Sequence, residues 1–371
     1  MKKTLAFVLA ILLCSAVVFA APFSAVNETA HLEQYYLTNR TTVTSFEECL
    51  ALASIGYKIG GSKFTLDMAQ SGLDAAKIDS TDGSEITMCA KYILFALASG
   101  KTPSEFAGKD VVTILASKQD NDGSFGADIY KHYIAVLALD AAKADYNKEK
   151  AAHWLVSQQF PDGGWGWDTV NLTSDVDTTA MMLWTLSGHR EVGGVNAAIV
   201  KALDFTKSQQ QADGSFSSWG AESPSTAAYV IIALVDLGED VFSPQYKGIA
   251  DTLLAFKNTD GSYRLSKTGD ETFDGFTTTQ VFLAYTSLLN EKSAYKTLFE
   301  NGGFEFSKEV SHLSFSSASV SSYAVSSAAA DTFSAANTAN PATGDQFNVI
   351  LIFLIISAAV LTFLLIIKRK K

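Results

Sequence analysis

Cysteine and histidine are scarce, with three and five residues in a chain of 371. Cys14 falls in an apolar N-terminal stretch, which leaves Cys49 and Cys89. His132, His153 and His189 are scattered, so nothing has the ligand spacing of a structural zinc site, and no metal is expected. Either Cys49 and Cys89 form a disulfide, or they are buried reduced thiols acting as small hydrophobes. A bridge closing a loop of about 40 residues would stabilise by roughly 3–4 kcal/mol, and spacing does not decide between the two. Asp120 opens a run, Asp-Asn-Asp-Gly, that hints at calcium, but the rest of a calcium loop is missing. Also missing are a glycine-rich phosphate loop and a nucleophile elbow, and no cofactor is called for. Basic residues are outnumbered, 28 Lys+Arg to 39 Asp+Glu, for a formal net charge of −11. An acidic surface repels nucleic acid and anionic lipid, so neither is an expected partner.

Both ends read as processing segments. Met1-Lys2-Lys3 is a basic n-region, Leu5 to Phe19 is apolar, and Val18-Phe19-Ala20 is a small-residue cleavage site, so residues 1–20 are expected to be a signal peptide. At the other end Asn340-Pro341-Ala342-Thr343-Gly344 precedes an apolar run, Phe347 to Ile367, and then Lys368-Arg369-Lys370-Lys371. About 20 apolar residues span roughly 30 Å, the hydrocarbon thickness of a bilayer. The basic tail stays cytoplasmic. Motif, transmembrane helix and basic tail (340–371) together resemble the sortase sorting signal of Gram-positive surface proteins. That resemblance implies that a sortase cuts Thr343-Gly344 and joins Thr343 to cell-wall peptidoglycan. Asn340 stands where the signal usually has Leu, which leaves the sortase class open. The implied product is a secreted, wall-anchored protein at the cell surface, which spans the membrane only as a precursor. Residues 307–339 are Ser/Ala-rich with little apolar periodicity and read as a flexible stalk.

Between about 26 and 306 the chain repeats. Asp-Gly recurs at 82–83, 122–123, 162–163, 213–214 and 260–261, a period of 40–51 residues. Gln119, Gln159 and Gln210 sit three residues before the Asp, and Lys257 takes that place in the last copy. Two residues after Gly123, Gly163, Gly214 and Gly261 come Phe125, Trp165, Phe216 and Tyr263. Such a period indicates stacked units that cannot bury their faces alone. Each unit reads as an amphipathic outer helix, an Asp-Gly turn in which Gly takes a positive φ, and a more apolar inner helix. Inner helices are expected to start near 44, 84, 129, 176, 224 and 275, and outer ones near 27, 66, 108, 147, 194 and 245. Six of each predict an all-α protein, a closed α6/α6 toroid that folds as a monomer.

The pattern Gln-x3-Gly-x-aromatic resembles the QW motif of the prenyltransferase and squalene-oxidase repeat, over about three quarters of the chain. The resemblance implies the α/α toroid of terpenoid cyclases, protein prenyltransferases and transcobalamin-type binders. One fold hosts many functions, so activity has to be read from particular residues. Asp175-Val176-Asp177-Thr178-Thr179-Ala180 resembles the Asp-x-Asp-Asp-Thr-Ala motif of squalene–hopene-type cyclases, which would make Asp177 the proton donor. Here Thr178 replaces the third acid. Aligning the repeats places Asp175 on Asp128, Ser223 and Asp274, the pattern of helix N-caps, whereas Asp177 falls on Tyr130, Ser225 and Phe276. The zinc ligands implied by the prenyltransferase resemblance have no counterpart, nor does the thioester Cys-Gly-Glu-Gln of complement-type toroids. For a corrinoid binder, His132 would be the cobalt-facing residue.

The expected role is binding of a small molecule or glycan at the rim where the turns lead into the inner helices, without catalysis. The candidate contacts are Trp167, Asp168, Asp175, Asp177, Trp219, Tyr130 and His132. Two alternatives stay open. The same acids and tryptophans, with Glu222, suit a polysaccharide lyase or glycoside hydrolase if two carboxylates lie about 5–10 Å apart. The ring also suits an adhesion module with no small-molecule site.

Overall fold

The structure is a computed structural model that describes residues 23–67, 70–126, 128–168, 170–218, 220–268 and 272–309, apart from the side chains of 105–107, 168 and 309. The expected signal peptide, the sorting motif, the apolar span and the expected stalk beyond Glu309 lie outside the described residues. Ser307–Glu309, expected to open the stalk, instead form a 3-10 turn on the toroid, where the Lys308 backbone N–H donates to the Gly56 carbonyl at 3.0 Å. Among the described residues no helix is long and apolar enough to cross a membrane.

Six inner helices form a closed ring: α2 (Phe46–Ser54), α3 (Ser84–Ala98), α5 (Ile129–Ala141), α7 (Val176–Ser187), α9 (Pro224–Leu237) and α11 (Gly275–Asn290). Each packs on the next, and α11 packs on α2. Their starts follow the expected ones to within two residues. The caps explain why. Ser45, Asp128, Asp175, Ser223 and Asp274 each accept a hydrogen bond from the backbone N–H three residues on, satisfying a donor that the helix leaves open. The inner helices are buried nearly all round because neighbours on both sides and an outer layer cover them.

The outer layer holds α1 (Ala25–Asn39), α4 (Val111–Ala116), α6 (Lys148–Ser157), α8 (Val195–Gln209) and α10 (Ile249–Leu253). The outer helix expected near 66 is not there. That segment pairs as a parallel ribbon, β1 (Thr42–Val43) with β2 (Thr65–Leu66), and continues into a 3-10 turn over Ala75–Asp79. Gly60, Gly61, Ser62 and Gly72 leave too little helix-forming sequence between the turns. The fold is therefore mostly helical, with two antiparallel hairpins on the rim as well: β3 (Trp165–Asp168) with β4 (Thr173–Asp175), and β5 (Ser217–Ser218) with β6 (Ala221–Glu222).

A further helix, α12 (Ala294–Asn301), packs across α2, α5 and α11 and closes the end of the ring where the inner helices terminate. Asp236, buried on α9, accepts from the Ser293 backbone N–H at 2.8 Å and from Ser293 Oγ at 2.6 Å. Lys296 Nζ donates to the Asp236 carbonyl at 2.7 Å. Tyr295 stacks on Trp184 with ring centroids 5.6 Å apart.

The repeat motif stitches neighbouring units. Gln119 donates to the carbonyls of Gly123 (3.1 Å) and Asn147 (2.9 Å), Gln159 to those of Gly163 (2.8 Å) and Ala198 (2.8 Å), and Gln210 to those of Gly214 (2.9 Å) and Tyr246 (2.7 Å). In each case the second acceptor belongs to the next outer segment. Gly214 shows why glycine is needed there: its φ is +91°, and a Cβ would lie 2.2 Å from the Lys247 carbonyl oxygen. Where the last copy carries Lys257, its ammonium pairs with Glu28 of α1 at 2.7 Å, joining the last unit to the first. Phe125, Trp165, Phe216 and Tyr263 are all buried. Cys49 and Cys89 are buried free thiols, so the disulfide alternative falls; Cys49 Sγ donates to the Ser45 carbonyl at 3.2 Å.

Gln210→Ala removes a buried donor shared by two carbonyls, one from each unit. It is expected to destabilise by about 1–3 kcal/mol and to lower the melting temperature by several degrees. Gln119→Ala, whose bonds reach solvent, costs less. Equal melting curves for the two variants in calorimetry would sink this account of the motif.

Candidate functional site

Trp167 protrudes from the β3–β4 hairpin and is 50% exposed. It separates two grooves on the rim. One, of about 440 Å³, runs from Trp167 past Asp175, Asp177, Phe205, Ser218 and Thr226. The other, of about 360 Å³, is lined by Asp128, Lys131, Trp154, Phe160 and Trp167. The Tyr130 ring lies 5.9 Å from that of Trp167. Tyr130, Trp167, Asp175 and Asp177 thus share one region of the rim, as the repeat alignment implies. Trp219 lies outside the described residues, as does the side chain of Asp168, whose backbone ends β3. Glu222 is committed to an ion pair with Lys267.

His132 is not a rim ligand. It is fully buried, and both ring nitrogens are engaged. Nδ1 accepts from the Phe125 backbone N–H at 3.1 Å, so Nε2 carries the proton and faces the Ala151 carbonyl at 3.2 Å. Thr179 and Thr278 take the same bond from Trp165 and Tyr263, both at 3.0 Å. The histidine is therefore the third repeat's version of a structural acceptor. Burial holds it neutral, with its pKa lowered to about 3.

Asp175 caps α7 through the Thr178 backbone N–H at 2.7 Å, and its second oxygen accepts from Thr178 Oγ1 at 2.9 Å. The residue that replaces the motif's third acid is thereby turned to the cap. Asp177 is different. Its Oδ2 faces Ser218 Oγ at 3.4 Å, and its buried Oδ1 has no hydrogen-bond partner among the described residues. Burial pushes this carboxyl above its usual range. The Thr226 hydroxyl is the chief group opposing the shift, and Ser218 adds to it.

Glu47 occupies on α2 the place that Tyr130, Asp177, Ser225 and Phe276 occupy on their helices, two residues past the cap. Its side chain is partly solvent-accessible. Even so, desolvation pushes its carboxyl to about 7, against the opposing pull of Lys91 and a Ser45 hydrogen bond. Tyr130 and Tyr133 meet edge to face at 5.2 Å, and Trp184 meets Tyr229 at 5.5 Å and Tyr295 at 5.6 Å. Burial and the charge of Glu47 raise the hydroxyls of Tyr130 (to about 12), Tyr229 and Tyr295. Trp184 Nε1 is buried without a partner among the described residues. Sequence reasoning missed Glu47 because the alignment of Asp177 was not carried back to the first inner helix, where it would have found a second acid.

Asp177 responds to the charge of Asp175. Among the described residues no group of three His, Cys, Asp or Glu is placed to hold a metal ion.

Residues 23–171 and 169–294 match the family model of the prenyltransferase alpha-alpha toroid domain. A probable squalene–hopene cyclase of Sinorhizobium fredii is 32% identical over 97 residues, covering 23% of this chain and 15% of that protein. The squalene–hopene cyclase of Zymomonas mobilis is 28% identical over 149 residues, covering 36% of this chain and 23% of its own length. The chain thus spans less than a quarter of either curated relative. The type II terpene cyclase MstE from Scytonema superposes with a TM-score of 0.50 at 14% identity, covering 72% of this chain and 99% of that one. This last likeness concerns the fold.

A carboxyl with its pKa raised from 4.5 keeps a proton in the folded state that the unfolded chain has released. Stability contributed at Glu47 is thus lost as pH rises from about 4.5 to about 7. Glu47→Gln does not titrate. Relative to the parent, the variant should melt higher at pH 8 and at the same temperature at pH 4. A melting difference independent of pH would show that the Glu47 carboxyl is not desolvated in the folded state.

Proposed function

Because the chain belongs to the prenyltransferase alpha-alpha toroid domain family, we propose that it is a binding protein whose ligand occupies the rim grooves beside Trp167, without chemical conversion. The observation that carries this reading is Asp177, which lines the groove of about 440 Å³ and has a buried Oδ1 with no hydrogen-bond partner among the described residues. Unpaired buried polar groups are costly, and a ligand that satisfies them explains their presence. Acid-initiated cyclisation is less well supported, since Thr178 replaces the neighbouring acid and its hydroxyl is bound to Asp175. Native mass spectrometry of the protein purified from its source should show a retained small molecule, and Asp177→Ala should lose it. An empty protein, together with silence on a panel of glycans and small molecules, would favour adhesion over ligand binding.

The same reading extends to location. The toroid is displayed at the cell surface on the Ser/Ala-rich stalk beyond Glu309, joined to peptidoglycan through Thr343 after a sortase removes the transmembrane helix. The order of motif, apolar span and basic tail supports this. Thr343→Ala should shift the protein from the cell-wall fraction to the membrane fraction. Unchanged wall attachment would rule out Thr343-Gly344 as the cut site.

A further inference from the structure

The two grooves beside Trp167 are built from the same parts. When the motif residues Gln159 and Gln210 are aligned, Trp154 falls on Phe205 and Gln158 on Gln209. On the inner helices, Asp128 falls on Asp175 and Ile129 on Val176. The first member of each pair lines the groove of about 360 Å³, and the second lines the groove of about 440 Å³. Each groove therefore lies between the start of one inner helix and the end of the outer helix that follows it. Trp167 lines both and is half-exposed between them. The repeat has made two equivalent subsites side by side, with an aromatic ring at their shared border.

The polar groups of this lining are chiefly acceptors. Gln158 Nε2 donates to Ser157 Oγ at 3.0 Å, and Gln209 Nε2 donates to Ser208 Oγ at 3.1 Å. The oxygen of each amide has no donor among the described residues. Asp177 Oδ1 is buried and also lacks a partner among them. A purely apolar ligand would leave that oxygen unsatisfied, at a cost in free energy. Charge narrows the choice further. Among the described residues that line the grooves, Lys131 is the one cation, against Asp128, Asp175 and Asp177. No arginine stands there to hold a carboxylate or phosphate in two bonds. Asp128 and Asp175 are committed to helix caps, which leaves a cationic ligand few free counter-charges. A sugar ring meets these conditions. It carries hydroxyl donors around its edge and an apolar C–H face that lies flat on an indole.

Resting on the reading that the rim grooves bind a ligand, we propose that the ligand is a neutral linear glycan that crosses Trp167, with one sugar on the indole and its neighbours in the two grooves. Equivalent subsites suit a polymer whose unit repeats. Trp167 stands between the grooves, so a chain is needed to fill both. In the larger groove sugar hydroxyls donate to Asp177 Oδ1 and to the Gln209 amide oxygen. In the other they donate to the Gln158 amide oxygen.

Isothermal titration of the purified protein with neutral disaccharides and hexasaccharides of glucose, mannose, xylose and N-acetylglucosamine tests this. At least one series should bind, and its hexasaccharide should bind at least about tenfold more tightly than its disaccharide, because the longer chain reaches the second groove. Trp167→Ala should weaken the hexasaccharide by at least about tenfold, and Trp167→Phe, which keeps a ring, by less. Gln158→Ala and Gln209→Ala, one in each groove, should each weaken it roughly three- to tenfold. The anionic hexamer of galacturonic acid should bind more weakly than the neutral hexasaccharide. Melting curves check that each variant is folded. An affinity that does not grow with chain length, or that survives Trp167→Ala, would overturn the assignment. So would equal binding of the galacturonic acid hexamer. Silence of all four series, with a peptide or another molecule retained in native mass spectrometry and lost from Trp167→Ala, would overturn the glycan while leaving the grooves as the binding site. Silence of all four with an empty protein would overturn the glycan assignment and the binding reading together.

Discussion

Each repeat of this protein is unstable by itself, and a side chain reaching from one turn to the next outer segment joins them. Gln119, Gln159 and Gln210 each hold their own glycine carbonyl and a carbonyl of the following unit, so the turn and its neighbour are positioned by the same amide. The close approach works only with glycine in the turn, since any Cβ would occupy the neighbour's backbone. At the seam the partner is α1, and the amide is replaced by the Lys257 ammonium facing Glu28. A linear stack would need polar caps at its ends. Here the ion pair and the packing of α11 on α1 and α2 close the ring instead.

Closure determines what is left for function. The motif aromatics are fully buried between layers, and His132 is absorbed into the same scaffold as an acceptor for a backbone N–H. None of these residues is free to meet a ligand. The positions that vary between repeats are the second residues of the inner helices: Glu47, Glu85, Tyr130, Asp177, Ser225 and Phe276. At the other end of these helices α12 packs across the ring. Asp236, held by Ser293 and Lys296, fixes α12 there.

The likeness to terpene cyclases lies in the scaffold, and a scaffold does not carry chemistry with it. In the Asp175–Ala180 segment the first acid is a cap, the third is a threonine bound to that cap, and only Asp177 turns to the interior. Its raised pKa follows from burial in a site with few donors, a property that serves ligand recognition as readily as proton transfer.

The sequence by itself determined the number of repeats, the starts of the inner helices, the turn glycines and the capping role of Asp175. Each of these depends on local chemistry: a positive φ, a first-turn N–H, an apolar stretch of helical length. Tertiary structure decided the rest. Residues near 66 form a ribbon and a 3-10 turn because the neighbouring strand offers pairing that a glycine-rich segment cannot match as helix. Residues 294–301 pack across the ring because Asp236, far away in the chain, meets Ser293 once the ring has closed. Glu47 looks like any first-turn acid beside its capping neighbour Glu48. Ring closure desolvates its carboxyl, and no local pattern encodes that burial.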